Sequence, residues 1–158
     1  MYGIKNNVQM PNGFGLLGNN STTQGATIVP YPGHRNLYYL FTIDKENGAF
    51  GGCACICYSI VDMNLNGGLG NITSKNILLH TQTTEKMAVV KHQNDTSYLV
   101  VAHDYGSNNY LSYLIDTNGI NPVPILNPIG TSICCALNSI NSVGQLKISP
   151  DCQKVGTS

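Results

Sequence analysis

The feature that most constrains the fold is an internal repeat of about 60 residues. Its two copies contain the segments ATIVPYPGHRNLYYLFTID (26–44) and MAVVKHQNDTSYLVVAHD (87–104), each preceded by a Thr-Thr pair and each ending on Asp. Each of these contains the first two apolar segments of its copy. The third and fourth apolar segments are SIVD (59–62) and KNILLH (75–80) in the first copy, and YLID (113–116) and PVPILN (122–127) in the second. A third copy begins with VGQLKISPDC (143–152). Four short apolar segments per repeat predict antiparallel sheets of four strands.

These segments indicate an all-β protein. The 17 Gly and 7 Pro residues, with many clusters of Asn, Ser and Thr, interrupt the chain too often for long helices. Alternate side chains in the second apolar segment are hydrophobic on both faces of a strand: Leu37, Tyr39, Phe41 and Ile43 on one, Tyr38 and Leu40 on the other. Apolar residues on both faces are typical of a sheet packed between two others.

Repeated four-stranded sheets packed in this way predict a segment of a β-propeller. We expect two complete antiparallel blades, 22–82 and 83–141. Residues 1–21 would be the outer strand of the preceding blade and a connecting loop, and residues 142–158 the start of the next blade. Because two blades leave apolar faces uncovered, the chain is expected either to continue into a longer propeller or to close a ring as a homo-oligomer.

Charge and hydropathy exclude several classes of function. Eight basic and eight acidic residues give a formal net charge of zero, which argues against nucleic-acid binding. The apolar runs are far shorter than the roughly 20 residues that span a bilayer, so no membrane insertion is expected. The first residues lack the pattern of a secretory signal peptide, so the protein is either cytosolic or secreted with its signal upstream. Six cysteines, five of them in two tight groups, favour an oxidising compartment.

Several segments of the sequence resemble the WD40-like propeller domain found in large secreted surface proteins of gliding, type-IX-secreting bacteria. They are QMPNGFGLLGNNSTTQGATIVPYPG (9–33), NLYYLFTID (36–44), YSIVDMNLNGGLGNITSKNILL (58–79), TTEKMAVVKH (83–92) and GQLKISPDC (144–152). The resemblance implies a cell-surface role in adhesion or gliding motility, without established catalytic residues. The insert GGCACIC (51–57) and Cys152, where Gly is usual, depart from that pattern.

The clustered cysteines leave two interpretations open. In an up-and-down blade, Cys53, Cys55 and Cys57 lie in a loop on the same propeller face as Cys134 and Cys135. They either form a disulfide between the two loops or remain unpaired, half-buried thiols.

A calcium loop is the only cofactor site that the sequence offers, and it is incomplete. Asp62, Asn64, Asn66 and Gly67 match its first half, but Thr73 replaces the Glu expected at its twelfth position and flanking helices are missing. A hairpin with a type I′ turn at Asn66 and Gly67 is favoured over a calcium site.

We expect the function to be binding rather than catalysis. The predicted contact surface consists of loops 13–21, 45–57, 105–109 and 128–142. In it Tyr105, Asn108, Asn109 and Tyr110 are the predicted binding residues, and the partner is a protein or a glycan at the cell surface. The alternatives are a hydrolase or lyase that uses His103 and Asp104 in a central channel, or a lectin-like module that closes its ring by oligomerisation. No nucleophile motif accompanies the His-Asp pair, so no catalytic residue and no metal ligand is assigned.

Overall fold

The computed structural model describes residues 7–44, 54–133 and 139–158, and these form two antiparallel sheets and a hairpin. The first sheet has the order β1 (Ala26–Pro30), β2 (Leu37–Ile43), β3 (Cys55–Asp62), β4 (Asn71–Thr81). The second consists of β5 (Thr83–Lys91), β6 (Tyr98–Asp104), β7 (Asn109–Asp116), β8 (Gly119–Ile120) and β9 (Ile125–Pro128), with β8 and β9 both paired to β7. The hairpin is β10 (Leu146–Ile148) with β11 (Val155–Thr157). Among the described residues there is no α-helix, which confirms the all-β prediction.

The core lies between the two sheets. Phe41, Ile43 and Ile56 of the first sheet pack in one buried cluster with residues of the second, including Met87 and Tyr113. The other face of β2 is also covered, because Leu40 packs with Met10, Val61 and Ile72. The prediction that β2 is apolar on both faces is therefore confirmed, and its outer face is covered by the segment that precedes β1.

Three hairpins share one turn geometry. In each, the residue that follows the first strand donates its backbone N–H across the hairpin, and its own carbonyl accepts from the residue three positions later. The cross-hairpin bonds are Tyr31 to Leu37 at 3.0 Å, His92 to Ser97 at 2.8 Å and Ser149 to Lys154 at 2.9 Å. The turn bonds are His34 to Tyr31, Asp95 to His92 and Cys152 to Ser149.

The first strands of these hairpins lie side by side. Strand β5 contacts both β1 and β10. The backbone N–H of Thr23 donates to Glu85 Oε2 at 3.3 Å, and that of Leu146 donates to Gln24 Oε1 at 2.9 Å. Side chains at the start of one hairpin thus satisfy backbone groups at the start of another.

Two sequence predictions need correction. The expected loop 45–57 is a strand at its end, because Cys55, Ile56 and Cys57 pair with β4 and are buried. Asn109 and Tyr110 likewise belong to β7 rather than to a loop, because they pair with Pro128 and Asn127. Residues 1–6, 45–53 and 134–138, which include parts of the predicted outer strand and contact loops, lie outside the described residues.

Candidate binding groove

The second sheet has one face against the first sheet and an apolar groove on the other. In β6, Val100 and Ala102 point into the core, so the alternate residues Leu99 and Val101 point away from it. The groove encloses about 560 Å³. Its walls are formed by Val90, Leu99, Val101, Tyr110, Ser112 and Ile129 of the second sheet and its flank, with Ile148, Cys152 and Val155 of the third hairpin opposite.

Apolar side chains on this outward face distinguish the sheet from one that faces water. A solvated antiparallel sheet alternates apolar and polar residues, whereas β6 is apolar on both faces. Val155, which is 46% exposed, lies across the groove from this outward face of β6. The groove is therefore an apolar space between the second sheet on one side and the two-stranded hairpin of β10 and β11 on the other.

Of the four predicted binding residues, Tyr110 lies in the groove wall. Its ring meets His103 edge-on, with centroids 4.8 Å apart. Asn109, at the start of β7, is half-buried, as are Tyr105 and Asn108 in the segment that joins β6 to β7. Tyr110 is thus the predicted residue that lines the groove. Leu99 and Val101 also line it, but they were not predicted, because apolar residues within a strand are typical of a protein core.

The segment between β6 and β7 is held by backbone hydrogen bonds. Gly106 N donates to Ile133 O at 2.8 Å, and Ile129 N donates to Asn108 O at 3.0 Å. Ser107 Oγ accepts from Asn109 N at 3.0 Å. This segment is consequently a fixed rim at the end of the groove rather than a free loop.

A polar network crosses between the two sheets. His80 Nε2 in β4 lies 3.2 Å from Asp104 Oδ1 in β6, and the other oxygen of Asp104 accepts from Ser107 Oγ at 2.8 Å. With Nε2–H donating to Asp104, His80 Nδ1 accepts from the Tyr113 hydroxyl at 2.8 Å. Burial, with the nearby Asp104 charge, raises the pKa of Tyr113 to about 12.

His103 and Asp104 are not arranged as an acid and a base acting together. His103 Nδ1 lies 2.8 Å from the backbone oxygen of Asp104, whereas the Asp104 carboxylate faces His80 and Ser107. Burial lowers the pKa of His103, although the bond to the Asp104 carbonyl opposes this shift. The pair that the alternative hydrolase or lyase hypothesis requires is therefore engaged in hydrogen bonds within the fold.

The incomplete calcium loop is a hairpin turn. Asp62 Oδ1 accepts from both the backbone and the side-chain nitrogen of Asn64, at 2.8 and 2.9 Å. Asn66 and Gly67 have φ values of 52° and 64°, and Gly68 N donates to Leu65 O, as in a type I′ turn. Within the three described ranges, no group of three or more His, Cys, Asp or Glu side chains is placed to hold a metal ion.

The described cysteines differ in state. Cys55 is disulfide-bonded, whereas Cys57 and Cys152 are free. Cys53, Cys134 and Cys135 lie outside the described residues. Cys57, for which the sequence left a disulfide and an unpaired thiol open, is a buried free thiol 3.6 Å from Cys55 Sγ. Burial, with the charge of Asp44, raises its pKa.

Comparison with known proteins adds no relative. No family model, curated protein or solved structure matches the chain. In the part of the chain that the structure describes, no helix is long and apolar enough to cross a membrane.

Proposed function

We propose that the protein is a non-catalytic binding and scaffold module made of propeller-like blades, and that its groove receives β-structure from a protein partner. The outward face of β6 carries the proposal, because it is apolar and lines the groove opposite the third hairpin, with Leu99 half-buried and Val101 buried. Strand β11 pairs with β10 on one side, and no strand of the described residues pairs with its other edge. A partner strand added to that edge would lie over the groove.

The two complete sheets indicate what such a partner resembles. In each of them a hairpin with the shared turn geometry is followed by further antiparallel strands, β3 and β4 in the first and β7 to β9 in the second. The third hairpin has the same turn and the same position beside the preceding unit. A blade-like repeat would place two more apolar strands where the groove is, and strands of this kind are what the groove would receive.

An oxidising environment fits this role. The disulfide at Cys55 would be reduced in most cytosolic compartments and persists in secreted proteins. We therefore propose a secreted or cell-surface location, in agreement with the resemblance to bacterial surface propellers. The partner surface then belongs to another extracellular protein or to a neighbouring domain.

Cys152 provides a native reporter for the test. It is a free, exposed thiol in the groove wall, so a polarity-sensitive dye attached there will report occupancy. The probe is a synthetic peptide with the sequence of residues 109–128, which span β7 to β9. We expect the peptide to give a saturable change in dye emission, since its alternating apolar residues match the groove.

A matched pair of variants distinguishes binding in the groove from non-specific binding of the peptide elsewhere on the protein. Leu99→Lys places a charge in the groove wall, whereas Leu78→Lys places the same charge on an exposed position of β4. The proposal requires that Leu99→Lys abolish the emission change and that Leu78→Lys retain it. Equal responses from both variants, or no response from the unmodified groove, would overturn it.

A further inference from the structure

A buried lysine lies beside a second cavity at the start of β5. Lys86 is only 4% exposed, although lysine is almost never buried without a partner. In the described residues no hydrogen bond or ion pair is made by its ammonium group. The adjacent carboxylate of Glu85 is directed to Thr23 N instead.

Among the described residues, no side chain forms an ion pair with this charge. On the neighbouring strand, burial and the positive charge of Lys86 both lower the pKa of His103. His103 is therefore neutral at pH 7 and neither adds to nor offsets the charge of Lys86. Burial also lowers the pKa of Lys86 itself.

The cavity beside Lys86 encloses about 450 Å³ and has both polar and apolar walls. Thr131, Ser132, Asn141 and Thr157 line it together with Ile133 and Val143. Gly144 forms the wall next to the lysine, and a Cβ there would lie 3.4 Å from Lys86 Cε and collide with Ser158 O. Glycine at this position accommodates the close approach of the Ser158 backbone, which also lines the cavity.

The size and chemistry of the cavity define a ligand. The ammonium group of a lysine that is only 4% exposed has lost most of its hydration, and an anion bound beside it recovers part of that cost. The volume exceeds that of a simple anion and lies in the range of small-molecule pockets. The surrounding hydroxyl and amide groups suit a molecule with several hydroxyls of its own.

We propose that this cavity binds a small acidic sugar, a polyol that carries one anionic group paired with Lys86. The anionic group is a carboxylate or a phosphoryl group, both of which accept hydrogen bonds from an ammonium. This site is separate from the apolar groove, and it does not depend on the function proposed for that groove.

Calorimetric titration of the whole chain tests the assignment with four probes. Glucuronate and glucose 6-phosphate carry the two anionic groups, glucose is the neutral analogue, and inorganic phosphate is an anion without the sugar. We expect one or both acidic sugars to bind at least about tenfold more tightly than glucose and than inorganic phosphate, since a charged hydrogen bond contributes that much. Glucuronate binding alone identifies a uronic acid, and glucose 6-phosphate binding alone identifies a sugar phosphate.

Two variants and one chemical readout complete the test. Lys86→Gln should weaken acidic-sugar binding about tenfold or more, whereas Lys147→Gln, which removes an exposed lysine, should leave it unchanged. Should Lys86→Gln fail to fold, the unmodified protein still gives an answer through acetylation of Lys86, mapped by mass spectrometry. The bound sugar should protect Lys86 and not Lys147.

The results that would overturn the assignment are distinct. Equal affinity for glucose and for the acidic sugars would show that the anionic group is not recognised. Equal affinity for inorganic phosphate and for the acidic sugars would show that the sugar is not recognised. Absence of binding by all four probes, or unprotected Lys86 in their presence, would overturn the site itself.

Discussion

Tyr113→Phe tests the polar network that joins the two sheets. The substitution keeps the buried ring and removes the hydroxyl that donates to His80 Nδ1 at 2.8 Å. Loss of one such bond, with its acceptor left half-buried, costs about 1–2 kcal/mol of unfolding free energy. For a chain of this size, that loss lowers Tm by roughly 2–8 °C.

The same substitution changes the response of stability to alkaline pH. The pKa of Tyr113 is raised from 10.0 to about 12 in the folded protein. Its neutral form is thus favoured by folding, and this contribution is complete below pH 10 and is lost as pH rises through 12. At pH 11 the wild-type protein has lost about 1.4 kcal/mol through this one group, and the variant has not.

The assay is urea unfolding of both proteins at pH 8 and at pH 11. We expect the wild-type protein to be more stable at pH 8 and the two to be nearly equal at pH 11. Tyr98→Phe is the control, because Tyr98 packs against the same core and is only partly buried. No difference at pH 8 would refute the hydrogen bond, and a difference that stays constant to pH 11 would refute the buried neutral hydroxyl.

Two further substitutions or modifications follow from the packing. Gly70→Ala should lower the unfolding free energy by about 1–3 kcal/mol, because a Cβ at φ +85° would lie 2.7 Å from both Met10 Cε and Met63 Sδ. Gly106→Ala shares that φ value and has open space around it, so chemical denaturation of the two variants isolates the methionine contact, and equal losses would contradict it. A maleimide reagent should label Cys152 in the native protein and Cys57 only after unfolding, since Cys57 is buried and its pKa is raised. Peptide mapping by mass spectrometry locates the labels, and a label on Cys57 of the folded protein would show that its thiol is accessible.

The sequence predicts the strands well where they are apolar and bounded by turn residues. The Leu37–Ile43 segment and the Asn66-Gly67 turn were both located, because alternation and turn chemistry are local properties. The start of β3 was missed because Gly and Cys around position 55 give a poor strand signal, while pairing with β4 supplies the hydrogen bonds.

The candidate sites were less predictable because they depend on distant residues. His80 meets Asp104 and Tyr113 across the interface between sheets, and no spacing rule relates these positions. Lys86 has the appearance of a surface residue in the sequence, since a lysine in a strand usually faces water. Only the docking of the third hairpin next to β5 creates the cavity beside it.

The bond between Leu146 N and Gln24 Oε1 has a consequence for how the protein is made. The two residues are 122 positions apart, so ribosomal synthesis completes both sheets before this contact can form. Until then, the flank of β5 that contacts Leu146 and Ile148, from Met87 to Val90, stays uncovered. A nascent chain stalled before Leu146 would present that flank as an uncovered edge strand, which is a site for aggregation with other chains.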